Sequence, residues 1–115
     1  MKTSKKDFGI FKKEVLRLVD AYSLKSWELH VDHEKVDEST LASTQTDMEA
    51  RQCVITLNTD WQDPVSARAL KDVALHEVLE LLFAKVESFV CESKRDLARE
   101  EVHAIIQTFI NMGER

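Results

Sequence analysis

The chain has 115 residues, enough for one domain with a modest core. Hydrophobic residues make up 43% and charged residues 32%, an ordinary globular balance, and a net charge of −5 with a pI near 5.4 gives no electrostatic basis for binding nucleic acid. Two Gly and one Pro argue against long loops and low-complexity structure, and no apolar run reaches the ~18 residues of a membrane span.

Residues Met1 to Lys6 read as a loose polar tail. Lys2, Lys5 and Lys6 are followed by no apolar run, so no secretory leader is expected. From about Asp7 to Tyr22, Phe8, Phe11, Val15, Leu18, Val19 and Tyr22 recur at helical spacing, with Lys12, Lys13 and Arg17 on the solvent side. Ser23 to Ser26 make a turn. Trp27 to His33 alternates, which predicts a half-buried strand with Leu29, Val31 and His33 inward and His30 in solvent. Glu34 to Glu38 is a charged turn, Thr40 to Asp47 a Ser/Thr-rich strand and Met48 to Arg51 a second turn. Gln52 to Asn58 alternates with Cys53, Ile55 and Leu57 on one side. Three strands on short connections predict an antiparallel meander.

Trp61 lies in the next connection. Asp63 and Pro64 read as the N-cap and first residue of a helix running from about Val65 to Val86. Glu87 to Ser93 reads as a linker. A last helix, capped by Ser93 or Asp96, is expected to reach about Met112 before Gly113. Its buried stripe would be Leu97 or Ala98, then Val102, Ile105, Ile106, Phe109 and Met112. Cys53 and Cys91 form no metal motif with each other and suggest reduced thiols in a cytoplasmic protein. The fold class is α+β, one domain over residues 1–115.

The middle of the long helix carries the chemistry. His76 and Glu80 are four residues apart, so they share a face about 6 Å apart along the axis and can close on one ion. Glu77 lies beside them. His-Glu-x-x-His on a helix supplies two zinc ligands and a general base. Here Glu80 stands where the second His would be, and carboxylate is also a zinc ligand. Such strings also occur on solvated helix surfaces. Val73, Leu79 and Phe83 surround this one, however, and carboxylates among apolar groups are costly unless paired or bound to metal.

Three blocks carry a family resemblance: Val54-Ile55-Thr56-Leu57 followed by Trp61, Ala74 to Leu82 around His76-Glu77, and Glu100-Glu101-Val102-His103-Ala104-Ile105-Ile106. With the order of elements, they make the chain resemble the small zincin-like metallopeptidases of phages and prophages, from about Trp27 to Ile110. The resemblance implies a minimal zincin-like fold with a helical metal site beside an edge strand that holds an extended peptide. It implies His76 as first ligand, Glu77 as general base and Glu80 in the place of a ligand that is usually His. The third ligand is expected from the last helix, with His103 favoured and Glu101 or Glu100 as alternatives. Two His and one carboxylate suit zinc, and also iron, whereas a His76, Glu80, Glu101 shell leans to manganese. The expected function is zinc-dependent peptide hydrolysis in the cytoplasm of a bacterial host, on a peptide or protein partner, away from nucleic acid and membrane. The alternatives are a degenerate zincin fold that binds protein without catalysis and a small acidic interaction module.

Overall fold

The computed structural model describes residues 1–47, 49–88 and 104–108. Helix α1 (Lys5–Ala21) is followed by strands β1 (Glu28–Glu34), β2 (Ala42–Asp47) and β3 (Gln52–Asn58) and by helix α2 (Ala67–Ser88). Residues 104–108 are helical.

Ser4 caps α1. Its hydroxyl accepts from the Asp7 amide at 3.1 Å while the Asp7 carboxylate accepts from the Ser4 amide at 2.8 Å, a reciprocal capping box. Phe11, Val15, Leu18 and Val19 form the buried face. The helix ends on Ser23, whose φ of 58° lies in the left-handed region. The Leu24 amide donates to Val19 O at 2.9 Å and the Ser23 amide to Asp20 O at 3.1 Å, which satisfies two terminal carbonyls.

The expected antiparallel meander is corrected here. β3 is the central strand of a mixed sheet in the order β1-β3-β2, parallel to β1 and antiparallel to β2. Alternation fixes which face a residue takes, but not which strand lies next to it. The connection from β1 to β2 passes one end of β3 and is fastened there. Asn58, 1% exposed at the end of β3, accepts from the Val36 and Asp60 amides at 3.2 and 3.1 Å and donates to Asp37 O and Thr40 O at 3.1 and 2.6 Å. Leu41 O accepts from the Asn58 amide and from Trp61 Nε1, both at 3.0 Å.

Residues 1–3 are not the loose tail that polarity predicts. Lys2 bridges to Asp60, the Thr3 amide donates to Thr59 O at 2.9 Å, and Thr3 is buried. Thr3 Oγ1 donates to Asn58 O at 2.8 Å and lies 2.7 Å from His33 Nε2. The His33 ring stacks on Phe8, with centroids 5.0 Å apart. His33 is thus a structural histidine, and His30 is solvent-exposed as expected.

α2 starts three residues later than the Asp63-Pro64 pair implies. Ser66 is its cap, accepting from the Ala69 amide through Oγ at 3.1 Å and from the Leu70 amide through its carbonyl at 2.9 Å. Leu70, Ala74, Val78 and Leu81 run along the face that meets α1 and the sheet, each at most 1% exposed. Burying each of the large aliphatic side chains contributes about 1.5–3 kcal/mol. A second face, Leu79 with Leu75, Leu82 and Phe83 beside it, packs on Ile106. Ile106 therefore takes the buried position expected of it, while Ile105, placed in the same stripe from sequence, is 40% exposed. Leu97, Ala98, Val102, Phe109, Met112 and Cys91 lie outside the described residues.

Candidate metal centre and cleft

α2 has a third face, and the polar residues are on it. Asp72, Val73, His76 and Glu77 follow helical spacing along the side turned to the segment that enters β2. Between them and Ser39, Thr40, Leu41 and Ala42 lies an open cleft of about 410 Å³. That volume falls within the ~300–1,000 Å³ typical of ligand sites. The wall opposite the helix is held from behind by Asn58 and Trp61, so its backbone is fixed before any ligand arrives.

The structure brings His76 and Glu80 together, with Nε2 and Oε1 3.3 Å apart. Zinc–donor distances of about 2.0–2.2 Å at the tetrahedral angle put two ligands roughly 3.3–3.5 Å from each other. A ring nitrogen and a carboxylate oxygen at the observed separation therefore fit two corners of one tetrahedral ion. The same geometry makes an ion pair when the ring is protonated. The hydrogen bond to Glu80 is the main reason that the His76 pKa lies above the usual histidine value, with burial opposing it and the charges of Glu77 and Glu80 adding to it.

Glu77 is 6% exposed. Its carboxylate accepts a hydrogen bond from Thr44 Oγ1 on β2. Burial pushes the Glu77 carboxyl above its ordinary range, against the Thr44 bond and the nearby His76, while the charge of Glu80 pushes the same way as burial. The Cys53 thiol is pushed up to about 11, first by burial and then by the charge of Glu77.

Among the described residues no group of three or more His, Cys, Asp or Glu is placed to hold a metal ion. The described part of the site supplies two donors and a buried carboxylate. His103, Glu101 and Glu100, from which the third ligand is expected, lie outside the described residues. Ile106, three positions beyond His103, packs directly on Leu79, the neighbour of Glu80 on α2.

Sequence reasoning missed Thr44 and Asp72. Thr44 faces inward from a Ser/Thr-rich strand whose apolar signal is weak, so nothing in its own segment marks it. Asp72 could have been found, because it stands four residues before His76 on one helix face. Among the described residues no helix is long and apolar enough to cross a membrane. Comparison with protein-family models, with curated proteins and with solved structures finds no match to this chain.

Proposed function

We propose that this chain is a zinc-dependent, metallopeptidase-like protein of a phage or prophage that hydrolyses peptide bonds in the host cytoplasm. One observation carries the reading: His76 and Glu80 hold donor atoms 3.3 Å apart on the helix face where Glu77 reaches an adjoining cleft. His76 and Glu80 would hold the ion, with His103 as the proposed third ligand and Glu101 or Glu100 as its alternatives. Zinc held there would supply the Lewis acidity that activates a water for attack.

The protein's own groups do the rest. Glu77 accepts the proton of the attacking water, and burial raises its carboxyl towards the range in which a general base works best. The Thr44 hydroxyl orients that carboxylate. Among the described residues β2 pairs with β3 alone, and its outer edge would offer backbone groups to an extended peptide.

Elemental analysis of untagged protein purified without added metal, beside His76→Ala, tests the reading. About one zinc per chain, lost in the variant, is expected. Manganese or iron in its place would keep the site and change the metal. No metal, with none taken up on titration, refutes the proposal. The second reading, a degenerate zincin that binds protein without catalysis, is favoured by the direct His76–Glu80 contact, which satisfies both groups as an ion pair. It predicts that Glu77→Gln leaves partner binding intact.

A further inference from the structure

We propose that the cleft beside His76 and Glu77 receives a lysine or arginine side chain of the bound peptide, and that Asp72 selects it. The proposal deepens the peptide-handling reading and names its substrate class. The cleft has apolar walls, with Leu41 and Ala42 on one side and Val73 on the other. Asp72 lies on the helix wall, half-buried, and no hydrogen bond or ion pair among the described residues engages its carboxylate. Asp72 and His76 are one helical turn apart, about 6 Å along the axis. A stem of four methylenes spans that distance. Such a side chain lays its apolar stem along Val73 and Leu41 and brings its cation to Asp72.

Competing side chains fit worse. A carboxylate would face Asp72 on the helix wall, within a chain whose net charge is −5. An uncharged aliphatic side chain would take Asp72 out of water with nothing to pair it, which is costly. The charge at Asp72 is what turns an apolar cleft into one that prefers a cation.

The test is NMR titration of the full chain with three small probes, the Nα-acetyl methylamides of lysine, norleucine and glutamate. Saturable shifts at Leu41, Ala42 and Val73 are expected with the lysine probe and not with the glutamate probe. The norleucine probe should bind about two- to fivefold more weakly than lysine, the scale of one partly exposed ion pair. Asp72→Asn should weaken lysine binding by the same factor and leave norleucine unchanged or tighter, while Asp72→Glu retains the preference. The proposal is overturned if norleucine binds as tightly as lysine, if glutamate shifts the same resonances, if Asp72→Asn binds lysine unchanged, or if no probe gives saturable shifts. The probes carry no peptide bond that must be cleaved and need no metal. A protein without zinc or peptidase activity would therefore refute the function proposed above and leave the pocket standing.

Discussion

Asn58→Ala removes the side chain that fastens the outer wall of the cleft. Asn58 is 1% exposed, and its amide makes four well-formed bonds, to the amides of Val36 and Asp60 and to the carbonyls of Asp37 and Thr40. At about 1 kcal/mol net for each bond, the loss sums to about 4 kcal/mol. Water entering the space left by the amide can replace part of it, so about 3–4 kcal/mol is expected. That is a large share of the ~5–15 kcal/mol that holds a small domain together. Urea denaturation followed by circular dichroism measures it, as a lower midpoint with an unchanged slope. The melting temperature should fall by about 10–20 °C. Asn58→Asp is the sharper control. It keeps the acceptor for Val36 and Asp60 but turns a carboxylate on the carbonyls of Asp37 and Thr40, so it should cost at least as much. A loss below about 1 kcal/mol in the alanine variant would mean that the segment from Lys35 to Leu41 holds its own shape and that Asn58 only occupies space.

Three further outcomes are expected. Ser23→Gly should raise stability by about 0.5–1 kcal/mol, because Ser23 ends α1 with φ at 58°, where a side chain is strained and glycine is not; chemical denaturation reads the change, and a loss of stability would mean that the Ser23 side chain is itself needed. Burial raises the Glu77 carboxyl above the ordinary 4.5 in the metal-free folded state, so between pH ~4.5 and its folded pKa the folded chain binds a proton that the unfolded chain releases. The stability held by that protonated form is complete below pH ~4.5 and is lost as pH rises through the folded pKa, so Glu77→Gln should gain on the parent chain as pH increases; a pH-independent difference would contradict it. Cys53, buried with its thiol pushed up to about 11, should resist alkylation in the folded protein and react only on unfolding, as site-resolved mass spectrometry would show.

Helices α1 and α2 and the inward face of β3 were legible because a single signal decides each of them. Phe11, Val15, Leu18 and Val19 are spaced for one helix face and are all buried on it. Cys53, Ile55 and Leu57 alternate, and all three are buried. The neighbours of His76 were legible to the same extent: periodicity put Glu80 on its face, and the side chains meet at 3.3 Å. What stayed hidden depends on side-chain hydrogen bonds between distant segments. Asn58 looks like an ordinary strand end, yet it ties down a connection some twenty residues earlier. Thr3 looks like part of a polar tail, yet its hydroxyl is spent on Asn58 and its amide on Thr59. At the start of α2, Asp63-Pro64 gave a strong cap signal, but Ser66 makes the bond to Ala69.

The crossing of the sheet is the one error with consequences for the site. In a meander β2 would be the middle strand, hydrogen-bonded on both sides, with β3 at an edge. In the observed order β3 is central and, among the described residues, β2 is outermost, antiparallel to β3 with Thr44 paired to Ile55. Thr44 also reaches Glu77 across to α2. The strand that orients the buried carboxylate is therefore the strand whose other edge has no ladder partner among the described residues. The residues entering that strand, Ser39 to Ala42, form one wall of the cleft, and the helix residues around His76 form the other. A peptide added to the β2 edge would pass that cleft as it paired, so backbone pairing and side-chain selection by Asp72 can act on the same ligand. The Asn58 amide donates to Leu41 O, so in this register residues 41, 43 and 45 bond to β3 and the Thr46 N–H faces the outer edge. Replacing Thr46 by proline tests that link, because it removes an outward donor and spares the β2–β3 ladder. If peptides longer than the single-residue probes bind through the edge, Thr46→Pro weakens them and leaves the lysine probe untouched. Equal weakening of both would place the peptide somewhere other than along β2.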